Sequence, residues 1–165
     1  MKGRALIIVD LQKGFLNRHT RHIRAPIERF QNGFDHVIAT QYYRRPDAAM
    51  VKLLNIDGYE KGSPEAALAF RPREGALVLE KTNYSCVDAE LLRRLQAWGV
   101  DEVFICGVDT DQCVLMIAAD LLQNDIVPVV CENLTASAAG PEFHEAGLFL
   151  LRRLIGREQV RHVRP

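Results

Sequence analysis

The chain has 165 residues, of which 48% are apolar and 25% are charged, and its 21 basic residues balance its 21 acidic residues. We predict one globular domain over residues 1–165, and the zero net charge gives no electrostatic reason to expect nucleic acid or an anionic membrane as a partner. No run of roughly 18 apolar residues occurs, and the apolar run at 5–9 is too short for a secretory signal, so we predict a cytoplasmic protein that does not enter a membrane.

Six short segments that are continuously apolar or β-branched predict β-strands. They lie at residues 5–9, 36–40, 76–80, 102–106, 125–130 and, with the weakest pattern, 159–163. Amphipathic or apolar segments between the later strands predict helices at 88–99, 110–125 and 143–156. This alternation favours βαβ units, and therefore an α/β fold in which helices cover both faces of a mostly parallel sheet.

The least regular part of the chain runs from residue 42 to residue 75. It is rich in proline and glycine and has no clear helical or strand period. Long irregular insertions in compact domains are more often functional than idle, so this segment could cap a pocket.

Polar and reactive side chains follow four of the predicted strands. Because ligands bind beyond the carboxyl ends of strands in open parallel sheets, these side chains are expected at one edge. In strand order they are Asp10 and Gln12, then Gln41, Tyr42 and Tyr43, then Lys81, Asn83 and Tyr84, and finally Asp109, Asp111 and Cys113.

The residues at this edge have the chemistry for acyl transfer. Thr110 is a plausible N-cap, which places Cys113 in the first helical turn, where the helix end can lower the thiol pKa from about 8.5. Lys81 would add a positive charge, and Asp10 could take the thiol proton as general base. The backbone N–H groups of Asp109 and Cys113 are candidates for an oxyanion hole.

Each of these residues also has a purely structural interpretation. A cysteine in a first helical turn is often a small packed residue, an aspartate after a strand is often a turn residue, and a lysine is usually solvated or ion-paired. Their expected convergence at one sheet edge favours the catalytic interpretation.

Three motifs in this order resemble the isochorismatase-like cysteine hydrolases, which include nicotinamidases, N-carbamoylsarcosine amidase and isochorismatase. DLQKGF at 10–15 resembles the family's opening motif, KTNYS at 81–85 its lysine segment and GVDTDQCV at 107–114 its nucleophile loop. The similarity extends from about residue 5 to residue 154. It implies a three-layer Rossmann-like fold with a six-stranded parallel sheet.

The resemblance also implies a catalytic triad of Asp10, Lys81 and Cys113, a cis peptide bond between Val108 and Asp109, and a dimer or tetramer. No cofactor is expected. The residues that we expect to contact a small amide-type substrate are Gln12, Phe15, Gln41, Tyr43, Asn83 and Tyr84.

The chain departs from the family's usual pattern in three places. Asp109 replaces a small apolar residue, and its carboxylate should disfavour anionic substrates unless it binds a cationic or hydrogen-donating group. Val87, which follows Cys86, lies where an aromatic residue is frequent, and Cys131 with Glu132 replaces a common Asp-Ala pair.

Metal-containing nicotinamidases place histidines after the second strand, whereas this chain has none there. His19 and His22 lie close together but lack a further ligand at metal spacing, so a surface pair is the favoured interpretation. His144 is interpreted as a packing residue at the start of the last helix. We therefore predict no metal site and no nicotinamidase of the metal-containing type.

The sequence thus predicts a cysteine hydrolase that cleaves an amide, ureido or carbamoyl C–N bond through a thioester. Two alternatives remain open. One is hydrolysis of a vinyl ether such as isochorismate, with Asp10 as acid and no covalent intermediate. The other is a non-enzymatic scaffold or redox sensor that uses only the Cys113 thiol.

Overall fold

The fold is built on one sheet of six parallel strands. The structure is a computed structural model and describes residues 3–165. The strands are β1 (Gly3–Val9), β2 (His36–Tyr42), β3 (Leu77–Lys81), β4 (Val100–Val108), β5 (Val127–Ala136) and β6 (Val160–Arg161). Their order across the sheet is β3-β2-β1-β4-β5-β6, and every pair is parallel. β1 and β4 therefore lie at the centre, and their carboxyl ends are neighbours.

Helices cover both faces of the sheet. They are α1 (Arg24–Phe30), α2 (Ala49–Leu54), α3 (Ala89–Ala97), α4 (Leu115–Gln123) and α5 (Pro141–Leu154). None of the helices in the described residues is both long enough and apolar enough to cross a membrane.

The two faces of the sheet bury separate hydrophobic clusters. In β1, Ala5, Ile7 and Val9 belong to one cluster with residues of α3, α4 and α5, whereas Leu6 and Ile8 belong to the other with residues of α1. All five residues are fully buried. This arrangement explains why β1 reads as a continuous apolar run, since successive side chains of a strand point to opposite faces and here both faces are covered.

All six predicted strands occur, and the differences lie at their ends. β4 and β5 each extend beyond the predicted segment toward the carboxyl edge, and β6 has two residues instead of five. The predicted helix at 110–125 is divided into a π-helical turn, Thr110–Val114, and the regular helix α4. The residue before this turn, Asp109, is the N-cap, so the prediction that Thr110 caps the helix is wrong.

The irregular segment between β2 and β3 returns to the carboxyl edge of the sheet. It contains α2 and a series of turns. A single bridge pairs Gln12 with Leu68, and the backbone N–H of Ala69 donates to the carbonyl of Leu11 at 2.8 Å. These contacts lay the segment beside the loop that follows β1.

Candidate active site

The ends of the two central strands approach each other closely. Gly107 in β4 has φ +108°, and a Cβ atom there would lie 2.2 Å from the carbonyl oxygen of Val9. Only glycine fits this position without displacing backbone. The close approach brings Asp10, which follows β1, next to the turn that begins after the cis Val108–Asp109 peptide bond.

Three predicted side chains meet at this edge. The Lys81 Nζ atom lies 2.7 Å from Asp10 Oδ2 and 3.4 Å from Cys113 Sγ, and it also donates to the backbone carbonyl of Asn83 at 2.9 Å. Asp10 and Lys81 are 1% and 7% exposed. The Thr40 hydroxyl donates to Asp10 Oδ1 at 2.7 Å and accepts from the Asp10 N–H at 3.0 Å, which holds the carboxylate in place.

Burial controls the protonation of this cluster. It raises the pKa of the Cys113 thiol, and the Asp10 carboxylate raises it further, while Lys81 opposes both effects. Burial lowers the pKa of Lys81, but Asp10 and Cys113 outweigh it, so the lysine pKa is raised overall. The prediction of a lowered thiol pKa is therefore wrong, because removal from water and the Asp10 carboxylate raise it. The Cys113 sulfur thus lies beside an ammonium group that is paired with a carboxylate, and its pKa is raised.

The nucleophile turn, Thr110–Val114, rests on helix α5. The Thr110 hydroxyl lies 2.7 Å from His144 Nδ1. A Cβ atom at Gly147 would lie 2.8 Å from the Asp111 backbone nitrogen, so the α5 backbone touches the turn directly. His144 therefore packs at the start of α5 as predicted, and it also contacts the residue that opens the nucleophile turn.

Asp109 lies between β4 and the nucleophile turn. Its Oδ1 atom accepts a hydrogen bond from the Ala138 N–H at 2.7 Å. Burial raises the pKa of this carboxyl to about 6; the Ala138 hydrogen bond opposes the increase, and Asp111 and Asp10 add to it. The Asp109 carboxyl group, next to the expected oxyanion hole, is thus mostly ionised at neutral pH and takes up its proton at a higher pH than an exposed aspartate.

Three rings, called the aromatic cap here, pack on one another beside Lys81: Phe15, Tyr42 and Tyr59. The Tyr59 ring centroid lies 4.7 Å from that of Phe15 and 5.7 Å from that of Tyr42, and Lys81 Nζ lies 5.5 Å from the centre of the Tyr42 ring. Burial, followed by the negative charge of Asp109, raises the pKa of Tyr59 to about 12. Tyr59 comes from the irregular segment, which thereby packs against Phe15 and Tyr42.

Gln12 supports the site from within the protein. It is fully buried, and its side-chain N–H groups donate to the carbonyls of Tyr42 at 2.9 Å and Ala66 at 2.8 Å. Its Oε1 atom accepts from the Tyr42 N–H at 2.8 Å. The prediction that Gln12 contacts substrate is corrected, since its amide is engaged at both ends inside the protein. Gln41 likewise donates to the Ala66 carbonyl at 2.8 Å but stays partly exposed.

The other predicted contact residues are divided between two places. Phe15 belongs to the aromatic cap, and Tyr84 is half-buried, with a pKa raised by burial and then by Cys113. Tyr43 and Asn83 instead line an open groove of about 510 Å³ along β3, which Lys81 also borders. Asn83 reaches the triad only through its backbone carbonyl.

Sequence reasoning did not identify Thr40 or Tyr59 as site residues. Thr40 lies near the carboxyl end of the apolar strand β2, where only its hydrogen bond to Asp10 reveals a role. Tyr59 lies in a turn-rich segment without periodicity, so its position depends on how that segment packs.

The residues of this site do not fit a metal centre. No three His, Cys, Asp or Glu side chains within residues 3–165 are arranged to share one metal ion. The residues that follow β2, Tyr43 and Arg44, supply no imidazole or carboxylate.

The chain matches known proteins in sequence and in structure. The family model described as Isochorismatase domain matches residues 4–159. Phenazine biosynthesis protein PhzD of Pseudomonas fluorescens is 36% identical over 80 residues, a match that covers 46% of this chain and 39% of that protein. The matched part therefore spans less than half the length of this curated relative.

Two solved structures superpose along nearly the whole chain. Nicotinamidase PncA from Bacillus subtilis has a TM-score of 0.80 at 24% identity and covers 94% of this chain and 97% of its own. N-carbamoylsarcosine amidase from Thermoplasma acidophilum has a TM-score of 0.78 at 26% identity and covers 93% of each chain. These matches confirm the predicted α/β fold with a six-stranded parallel sheet.

Proposed function

Because the chain belongs to the isochorismatase family of hydrolases, we propose that it is a cysteine hydrolase that cleaves a C–N bond in a small amide, ureido or carbamoyl compound. One observation carries the proposal: Lys81 Nζ lies 2.7 Å from a carboxylate oxygen of Asp10 and 3.4 Å from the sulfur of Cys113. A base, a cation and a nucleophile within this distance are the parts that thiol-dependent acyl transfer requires.

The first half of the reaction forms a thioester. Asp10 takes the proton of the Cys113 thiol, whose raised pKa makes such a base necessary, while the sulfur attacks the substrate carbonyl carbon. The N–H groups of Asp109 and Cys113 donate hydrogen bonds to the developing oxyanion. When the tetrahedral intermediate collapses, the C–N bond breaks and protonated Asp10 gives its proton to the leaving nitrogen.

The second half hydrolyses the thioester. Asp10, again a carboxylate, takes a proton from water as the water oxygen attacks the thioester carbon. The C–S bond then breaks, and the sulfur takes the proton back as the carboxylic or carbamic acid product leaves. Lys81 remains cationic throughout and stabilises the Asp10 carboxylate and the sulfur as negative charge moves between them.

The test is ammonia release from a panel of small amides and carbamoylated amines. We expect Cys113→Ala to lose activity by at least about 1,000-fold, because the covalent step has no other nucleophile. Cys86→Ala is the matched control, since Cys86 is also a half-buried thiol near the site but lies outside the triad. Mass spectrometry of the acid-quenched enzyme should show an acyl adduct on Cys113. Amide turnover that survives in Cys113→Ala would overturn the proposal.

A second candidate function is hydrolysis of a vinyl ether. It is favoured by the family description itself, Isochorismatase domain, over residues 4–159. In this reaction Asp10 protonates the substrate and no thioester forms, so activity on isochorismate should survive Cys113→Ala and be lost in Asp10→Asn. The raised pKa of Cys113 disfavours the third alternative, a redox sensor, because the thiol is the less oxidisable form.

We also propose that the protein is a homo-oligomer, a dimer or tetramer, and that it acts on its substrate in the cytoplasm. Sedimentation analysis measures the oligomeric state.

A further inference from the structure

Helix α5 exposes a concentration of large apolar side chains. Four of them are exposed to solvent on this one helix: Phe143, Phe149, Leu150 and Leu154. Phe149 is the most exposed, at 71%. Gly147, Leu148 and Leu151 are buried on the opposite side of the helix, which packs against β5 and the nucleophile turn. A contiguous exposed apolar face of this kind marks an interaction surface.

The middle of this face is a stripe with charges of opposite sign at its two ends. The stripe consists of four exposed residues that follow one another at spacings of four, three and four: Glu142, Ala146, Phe149 and Arg153. Residues at these spacings lie along one line of a helix. Within residues 3–165, neither Glu142 nor Arg153 forms an ion pair.

A two-fold axis makes this stripe complementary to itself. Two copies of α5 related by an axis perpendicular to the helix run antiparallel, so the first residue of the stripe faces the last residue of the other copy. Glu142 then lies opposite the partner's Arg153, and Phe149 lies opposite the partner's Ala146. A parallel pair would instead place glutamate against glutamate and arginine against arginine. The charges therefore favour the antiparallel arrangement.

The sizes of the apolar side chains fit the same arrangement. The small side chain of Ala146 lets the two helices approach and leaves room for the ring of the partner's Phe149. Phe143, Leu150 and Leu154 lie along one flank of the stripe, and the two-fold symmetry brings the flanks of both copies to the same side of the helix pair. The result is an apolar interface with a charge pair at each end, as is usual for an interface core and its rim.

We propose that two copies of this chain associate through antiparallel α5 helices, with Phe149 at the centre of the contact and Glu142 paired with the partner's Arg153. A second copy is the occupant because the charge pattern of the stripe is matched by the same stripe reversed. This inference rests on the homo-oligomer of the proposed function and names its surface. The stripe faces away from Gly147, which touches the nucleophile turn, so each protomer keeps its own triad.

The experiment measures the dissociation constant of the dimer by sedimentation velocity over about 1–100 µM protein. Phe149→Glu places a charge at the centre of the interface and should raise the dissociation constant at least about 100-fold. If the wild type is a tetramer built from this dimer, the variant should be half its mass. Leu53→Glu is the matched control, because it replaces an apolar side chain that is 79% exposed on α2, and it should leave the assembly unchanged. Circular dichroism checks that each variant is folded.

Exchanging the charges tests the register of the two helices. Glu142→Arg places two arginines opposite each other, and Arg153→Glu places two glutamates opposite each other, so each variant alone should raise the dissociation constant at least about tenfold. Mixing the two variants in equal amounts should restore dimers, because the heterodimer has a glutamate opposite an arginine at both ends. The double variant Glu142→Arg/Arg153→Glu should dimerise like the wild type.

The outcomes separate this inference from the proposed function, since the measurement requires no substrate. Dimers that Phe149→Glu breaks and that the mixed charge variants re-form support the inference. A wild-type chain that is monomeric at about 100 µM overturns both the inference and the proposed homo-oligomer, gives the face to a different partner and leaves the proposed reaction standing. An assembly that Phe149→Glu does not change, or charge variants that do not recover on mixing, overturns the inference alone and moves the interface to another surface.

Discussion

The two sides of the site are held in different ways. On the nucleophile side, Asp10, Lys81 and the turn at Thr110–Val114 are fixed by strand pairing, a buried ion pair and backbone contact with α5. On the other side, the segment at 43–76 is held at residues 65–69 by hydrogen bonds to the loop after β1, whereas its part at 44–61 adds ion pairs in which at least one partner is exposed, such as Lys61 with Glu80. Exposed ion pairs contribute little to the free energy of unfolding, whereas breaking a buried ion pair lowers it strongly. The catalytic side chains are thus held by buried contacts, and part of the segment beside them is held by exposed ones.

The largest effect on stability and activity is expected at the buried ion pair of Asp10 and Lys81. Lys81→Met should destabilise the fold by about 3–5 kcal/mol, because Asp10 is then buried without its cation. The rate of amide hydrolysis should fall at least about 100-fold, because Lys81 no longer stabilises the negative charge on Asp10 and the sulfur. Lys61→Met is the matched control, since its exposed pair with Glu80 contributes about 0–1 kcal/mol. Chemical denaturation measures both, and similar losses in the two variants would contradict the comparison.

The next largest effect is expected where α5 touches the nucleophile turn. Gly147→Ala places a methyl group 2.8 Å from the Asp111 nitrogen, which forces the turn or the helix to move and should cost about 1–3 kcal/mol. The value of kcat should fall more than KM changes, since Cys113 is displaced. Gly33→Ala introduces the same methyl group where no atom lies within 4 Å, and should be neutral.

A pH-dependent effect of intermediate size is expected at Asp109. Its pKa is raised to about 6, above the usual value of 3.8, so the folded state binds its proton more tightly than the unfolded state. This stabilisation is complete below about pH 4 and is lost as the pH rises through 6. Asp109→Asn should therefore gain stability relative to wild type between pH 4 and pH 7, by on the order of 2 kcal/mol. Thermal melts across this range measure the difference, and a constant difference would contradict it.

The smallest effect is expected in the aromatic cap. Tyr59→Ala removes contacts with Phe15 and Tyr42 but leaves the triad in place. We expect KM to rise by about five- to tenfold, with kcat changed less than about twofold and stability lowered by about 1 kcal/mol. Steady-state kinetics test this expectation. A loss of kcat as large as that of Gly147→Ala would show that the cap and the turn are equally rigid.

Sequence patterns predicted the fold because both faces of the sheet are buried. Continuous apolar runs such as residues 5–9 have few alternatives to a buried strand, and strand–helix alternation restricts the topology. The same reasoning placed Asp10, Lys81 and Cys113 at one edge, since the carboxyl ends of parallel strands coincide. The prediction that Gln12 contacts substrate was wrong because no neighbouring residue along the chain indicates that its amide donates hydrogen bonds to the carbonyls of Tyr42 and Ala66.

The amino-acid sequence by itself determined the strands, their direction and the kinds of reactive group at their ends, since these depend on local pattern and chain connectivity. Tertiary structure alone decided the distances among Asp10, Lys81 and Cys113, the upward direction of the thiol pKa and the packing of Tyr59 against Tyr42. Each of these depends on burial and charge contributed by residues far away along the chain. Such interactions exist only once the chain has packed, and no local pattern encodes their magnitude.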